Sequence, residues 1–384
     1  MPDKKKARII AFYLPQFHPI KENNEFWGTG FTEWTNVAKA KPLFKGHYQP
    51  QIPSDLGFYD LRIQEIGEAQ AKMAMECGVE GFCYWNYWFG AGKKVLDMPL
   101  KMILENKSPE FPFCLGWANH DWTNNTWEKT GRYKKEKILI KQNYFGIDDY
   151  TAYFYDLLPA FKDKRYITVD GKSLFYVYDP TSIPNNKEFI ALWNRLSIKN
   201  GLNGIYFICR VDPVDNLKVI NHKDYLNEGK KRYEMYIKFG YNAINSNSYK
   251  RAEILTDGFL KLLINAVRRK LFGYAINKHD YLSIMRNFYM EEDKLEYVYP
   301  QITPRKDKTP RAGKKAMIYH NSTPEKFRIA IKMALKCVEN KPEEHKIIFL
   351  NSWNEWGEGS YMEPDIVFGH EYLNVLKEEI CEKV

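Results

Sequence analysis

Eight apolar runs of strand length recur along this chain with helical patterns between them, and that alternation limits what the chain can fold into. The runs are RIIAFYLP (8–15), EGFCYWNYW (80–88), PFCLGWAN (112–119), SLFYVYD (173–179), GIYFICRV (204–211), GYNAINS (240–246), YVYPQIT (297–303) and KIIFLNSW (346–353). A strand that is apolar along its whole length is buried on both faces, as in a parallel sheet covered by helices. Between the runs, the 3.6-residue pattern predicts helices over 61–78, 148–161, 186–201, 256–274 and 323–340. Eight repeats of strand and helix predict an α/β chain closed into a (β/α)8 barrel, the TIM-barrel architecture, over residues 1–384 as one domain. An open doubly wound sheet is the second choice. Against it, the first run continues as YLPQFHP, with proline where a dinucleotide fold needs a glycine-rich turn.

Aromatic residues make up 16% of the chain, more ring surface than a core requires, which points to a site that stacks against the faces of a ligand such as a sugar. The net charge of +9 is spread along the sequence, and no nucleic-acid-binding motif accompanies it, so a nucleic-acid partner is not expected. The six cysteines form no CxxC pair, and His18, His47 and His120 lack metal-ligand spacing. Neither a metal site nor a cofactor is expected. The N-terminus runs from charges straight into the first strand, with no signal-like or membrane-spanning stretch, which predicts a cytoplasmic location. Within 256–274, apolar Phe259, Leu260, Leu263, Val267 and Leu271 predict a barrel helix with its basic face, Arg268, Arg269 and Lys270, in solvent. Peripheral contact with an anionic membrane is the second reading of this helix.

In a barrel of this kind the site forms at the C-terminal ends of the strands. Here those ends carry Tyr13 and His18, then Tyr84, Asn86 and Tyr87, then Trp117, Asn119, Asp121 and Trp122, then Tyr178, and finally NSWNEWGEGS. Glycosidic-bond chemistry needs two carboxyls, one for the bridging oxygen and one for the anomeric side. Glu355 and Glu358, three apart with Gly357 and Gly359 alongside, fit that need, with Asn354 and Trp356 beside them. The competing reading is a helix N-terminus capped by Asn354, with Trp356 in the core. The long connection 19–60 predicts a folded cover over the barrel mouth. The charged segment 213–239 reads as an insertion.

The stretches FYLPQFHPI, FWGTGFTEWTNVAKAKPLFKGHYQPQIPSDLGFYDLR, GFCYWNYWF, FPFCLGWANHDWT and FLNSWNEWGEGSYMEPD resemble the WbsX-type glycosyltransferase family of bacterial O-antigen and capsule clusters. More distantly they resemble glycoside hydrolase family 99, the endo-α-mannosidases and mannanases. The resemblance implies a (β/α)8 barrel acting with retention. It implies Glu358 as general acid/base, Glu355 as the base that draws the proton from the sugar 2-hydroxyl so that O2 attacks the anomeric carbon, and Tyr13 as a neighbour of Glu358. The chain departs from the related family at Gly357, where histidine is common, and at TPRKDKTPR (303–311), where WbsX relatives carry tryptophan.

Three functions follow as expectations. The first is an enzyme that transfers or cleaves an α-linked, manno-configured glycosyl unit on an oligosaccharide or polysaccharide, lipid-linked forms included, in surface-polysaccharide synthesis. Its alternative is an endo-α-mannosidase-type hydrolase. The second is a sugar-binding module derived from an enzyme, and the third is a basic structural or nucleic-acid-associated protein.

Overall fold

The computed structural model describes residues 4–123, 137–214, 222–272 and 277–382. The eight apolar runs form strands β1 (Arg8–Tyr13), β2 (Val79–Trp88), β3 (Phe113–Trp117), β4 (Lys172–Val177), β5 (Ile205–Val211), β6 (Ala243–Ser246), β7 (Val298–Tyr299 and Gln301–Ile302) and β8 (Ile347–Leu350). Each pairs in parallel with the next through β6. Pro300, which has no amide hydrogen to give to a ladder, divides β7. The half before it pairs with β6 and the half after it with β8. Because β8 pairs in parallel with β1, the circuit closes.

Strand parity divides the side chains into two sets. On the inside, Phe12 stacks on Trp85 at 4.8 Å and on Phe349 at 5.2 Å, with Tyr176 edge-on at 4.9 Å. Gly116 makes room for this layer, since a Cβ there would lie 3.0 Å from the Trp85 ring. On the outside, Trp117, Phe175 and Phe207 pack against Tyr153, Phe189 and Trp193 of helices Ile147–Phe161 and Asn186–Lys199. The cysteines of β2, β3 and β5 are free and buried in these layers, where burial pushes the Cys114 and Cys209 thiols well up.

The predicted helices are present, with one correction. Helix Tyr249–Phe272 is broken at Gly258, whose φ of +74° is open to glycine but strained for other residues. Before the break Arg251 and Ala252 are buried, whereas after it Leu260, Leu263 and Val267 are 69%, 46% and 47% exposed. Leu260, Leu263, Val267 and Leu271 of the stripe expected to face the barrel face solvent instead, because periodicity places residues on one face of a helix without saying what covers that face. Predicted helix residues 273 and 274, and the part of the 213–239 segment at 215–221, lie outside the described residues. Residues 222–239 form a helix. Among the described residues, no helix is long and apolar enough to cross a membrane.

Candidate active site

At the C-terminal ends of the strands lies a cavity of about 500 Å³, and both Glu355 and Glu358 line it. The chain leaves β8, makes a short pairing of Asn354–Glu355 with Ser360–Tyr361, and turns through the single helical turn Trp356–Glu358. The turn is held from behind. Asn354 Oδ1 accepts the Leu14 amide at 2.8 Å, its Nδ2 donates to the Leu14 carbonyl at 3.1 Å, and the Trp356 indole stacks on Tyr361 at 3.6 Å. Trp356 Nε1 donates to Glu363 Oε2 at 2.6 Å, Gln70 Nε2 donates to Glu363 Oε1 at 2.6 Å, and Tyr13 donates to Gln70 at 2.7 Å.

Arg311 sits at the centre of the site. Its Nη1 donates to Glu355 Oε1 at 2.9 Å and to Glu358 Oε1 at 2.8 Å, while its Nε donates to Glu33 Oε1 at 3.0 Å. Two carboxylate oxygens that share one nitrogen lie within about 6 Å of each other, so the carboxyls are close enough to act on one sugar from two sides. Lys306 Nζ lies 3.1 Å from Glu358 Oε2 and Lys308 Nζ lies 3.0 Å from Glu358 Oε1. Although burial opposes it, the charge of Lys308, Lys306 and Arg311 holds the Glu358 carboxyl well below the usual carboxylate range. Glu33 is fully buried, and burial raises its carboxyl to about 7 against the pull of Arg311.

This cluster accounts for the glycine in the turn. A Cβ on Gly357 would fall 1.6 Å from Glu33 Oε1 and 3.0 Å from Arg311 Nε. Gly357→Ala is therefore expected to cost about 1–3 kcal/mol by overpacking. A urea melt of the variant checks this, and a shared lesion of stability and turnover is the expected outcome.

Burial raises the Glu363 carboxyl to about 7, above its ordinary 4.5, although its donors pull the other way. A carboxyl raised on folding contributes most stability below about pH 4.5 and loses that contribution as pH climbs through about 7. In Glu363→Gln the loss of stability between about pH 4.5 and 8 should shrink by about 3 kcal/mol, as read from urea melts at the two pH values.

Of the residues named from the sequence, Tyr87, Trp122 and Tyr178 line the cavity with the two glutamates. Strand parity places others behind the wall. Tyr13 and Tyr84 face a separate cavity of about 30 Å³. Asn86 accepts from Tyr153, and Trp117 Nε1 donates to the Trp88 carbonyl. Asn119 and Asp121 hold neighbouring segments, Asn119 by donating to the Asp179 carbonyl and Asp121 by accepting the Gln142 amide. Asn354 and Trp356 are fully buried in support of the turn. His18 is buried too, which lowers its imidazole to about 4 and keeps it neutral.

Other residues complete the wall, and those from 19–60 and 303–311 were not singled out as site residues from the sequence. Trp85 and Arg210 line the cavity, and the Arg210 guanidinium lies 3.8 Å from the centre of the Tyr178 ring. The 19–60 connection forms helices Lys21–Trp27 and Glu33–Lys39, brings Trp27 to the wall, and sets Glu33 behind Arg311. Residues 303–311 supply Lys306, Lys308 and Arg311 directly after β7. The usable signal was that position, because the strand-end rule applies to the seventh strand as to the others.

The family model described as Glycosyltransferase WbsX matches residues 9–376. Two curated sequences from strains of Xanthomonas campestris pv. campestris, each described as "Uncharacterized protein WxcX", are 31% identical over 99% of this chain and 50% of their own length. The chain thus spans about half the length of the curated relatives it matches. Among solved structures, a "Glycoside hydrolase-like protein" superposes with a TM-score of 0.56 at 15% identity, covering 100% of this chain and 96% of the other. A GH99 endo-alpha-mannosidase from Bacteroides thetaiotaomicron, in complex with Bis-Tris-propane, superposes at 0.53 and 15% identity, covering 97% and 95%. At such identities the likeness is one of fold.

Proposed function

Because the chain belongs to the WbsX glycosyltransferase family, we propose that it is a carbohydrate-active enzyme that moves an α-linked, manno-configured glycosyl unit with retention during bacterial surface-polysaccharide synthesis, residues 1–384 acting as one catalytic domain. The observation that carries this reading is the pair Glu355 and Glu358, joined through one nitrogen of Arg311 in the wall of a ring-lined cavity. Two of their oxygens lie within about 6 Å of each other, a bound that admits the separation of roughly 5–5.5 Å used by retaining enzymes.

In the proposed reaction Glu355 accepts the proton of the sugar 2-hydroxyl, O2 attacks the anomeric carbon, and the leaving group departs. Glu358 manages the proton on the leaving or incoming oxygen. An internal nucleophile beside C1 has a high effective molarity, so the protein supplies base, acid and preorganised charge. Tyr87 and Trp122, edge to face at 5.5 Å, and Tyr178 offer ring faces to the pyranose.

The test is a product analysis by mass spectrometry, with α-mannosyl oligosaccharides in one set and activated sugars plus oligosaccharide or lipid-linked acceptors in the other. Growth of an acceptor supports transfer, and conversion in neither set sinks the enzyme reading. Hydrolysis is the second reading, favoured by the fold shared with the endo-mannosidase. It would appear as shorter oligosaccharides.

A further inference from the structure

We propose that Glu253 is a third catalytic carboxyl of this site, the group that hands a proton to the leaving oxygen, and that the donor is a glycan from which a sugar hydroxyl departs. The proposal rests on the glycosyl-transfer reading above and adds to it the acid and the donor class. Glu253 follows β6 on the first turns of helix Tyr249–Phe272, ahead of the break at Gly258. Tyr249 and Glu253, one turn apart, both line the cavity that holds Glu355 and Glu358. Lys306 ties these walls together, because its Nζ lies 4.5 Å from the centre of the Tyr249 ring and 3.1 Å from Glu358 Oε2.

The two carboxyls, Glu253 and Glu358, meet opposite surroundings. Glu358 faces three cations within 3.1 Å and is held ionised, which suits a base that takes the proton of an incoming hydroxyl. Glu253 accepts instead from a neutral group, the Tyr319 hydroxyl at 2.8 Å. Burial raises its carboxyl against the pull of His279 from strand Asn277–Asp280, Tyr319 from strand Met317–His320, and Lys306 and Lys308 from the 303–311 segment. His279 is in turn paired with Asp257, one turn further along the Glu253 helix. Environments that differ in this way separate an acid from a base within one site. Other raised carboxyls serve less well. Glu33 and Glu363 lie behind the wall, and Asp212, which lines the cavity, is answered by Arg210 at 4.0 Å and Asn247 at 2.5 Å.

In the first step Glu355 takes the 2-hydroxyl proton, O2 bonds to C1, and the bond from C1 to the leaving oxygen breaks. That oxygen keeps the electron pair and takes the proton of Glu253. In the second step the acceptor hydroxyl gives its proton to Glu358 and bonds to C1, while the bond from C1 to O2 breaks and O2 recovers its proton from Glu355. The proton on Glu358 returns to Glu253 through solvent. One hydroxyl replaces another, and nothing is oxidised or reduced.

The test compares an α-mannosyl oligosaccharide, whose leaving oxygen needs a proton, with α-mannosyl fluoride, whose leaving fluoride needs none, in wild type, Glu253→Gln and Tyr319→Phe. In Glu253→Gln the ratio of oligosaccharide to fluoride turnover should fall about 10²-fold or more. A residue that only shaped the site would lower both rates alike, and that result overturns the proposal. If Glu253→Gln fails to fold, Tyr319→Phe carries the test. The Tyr319 hydroxyl favours the ionised carboxyl, so its loss should move the alkaline limb of oligosaccharide turnover toward higher pH, and a limb that stays in place overturns the assignment. If wild type converts the fluoride and no oligosaccharide, the reaction needs no acid, so the Glu253 proposal falls and the glycosyl-transfer reading stands. If wild type converts neither, both fall.

Discussion

Glu355→Gln should lower turnover by about 10³-fold, within the range expected when a positioned proton-transfer group is lost, while sugar affinity changes little. The amide keeps the shape of the side chain but no longer accepts the proton of the 2-hydroxyl, so O2 loses its activation. With Arg311 Nη1 still donating to the amide oxygen, the fold should be intact, and a melt close to wild type would show that the lesion is chemical. Glu358→Gln should be comparably slow. Its profile differs in one respect, because a neutral side chain leaves Lys306 and Lys308 without their shared anionic partner and should also lower stability. A substitution at either position that leaves turnover within a few-fold of wild type contradicts the assignment.

Arg311→Met should destabilise the fold by about 3–5 kcal/mol, the cost expected when one partner of a buried ion pair is removed. Glu33 is wholly buried, and its oxygen loses the guanidinium Nε at 3.0 Å. Glu355 and Glu358 lose the nitrogen they share, so two like charges face each other across the site. Adding Glu33→Gln to Arg311→Met should recover part of the loss, because Glu33, raised to about 7 even with Arg311 beside it, must take up a proton to stay buried without Arg311, and an amide need not. Urea melts at neutral pH give both numbers. If the double variant is no more stable than Arg311→Met, the unpaired carboxyl of Glu33 is not the source of the cost.

Eight strands were legible in the sequence because each is an apolar run bounded by polar turns, and their closure followed from the number of repeats. The split of β7 around Pro300 was not, since it depends on which neighbour each half meets. The residues at the strand ends were legible as a set, but which side of the wall they face depends on parity. On β2 the pattern sends Trp85 and Tyr87 inward, and Tyr84 and Asn86 toward the helices. The contact between Glu33 and Arg311 spans 278 positions, and no local pattern announces it. The turn at Glu355 and Glu358 was visible because two carboxyls, two glycines and two indoles leave a buried strand together, and the structure sets both carboxyls in the cavity wall while burying both indoles.

The central claim is that Glu355 and Glu358 act on a glycosyl unit in this cavity, and its most direct measurement is mass spectrometry of sugar products formed by wild type, Glu355→Gln and Glu358→Gln under one set of conditions. The account predicts converted glycan with wild type and none above background with either variant, although both variants still bind the sugar. Sugar bound equally by all three proteins and converted by none would contradict it and identify a lectin.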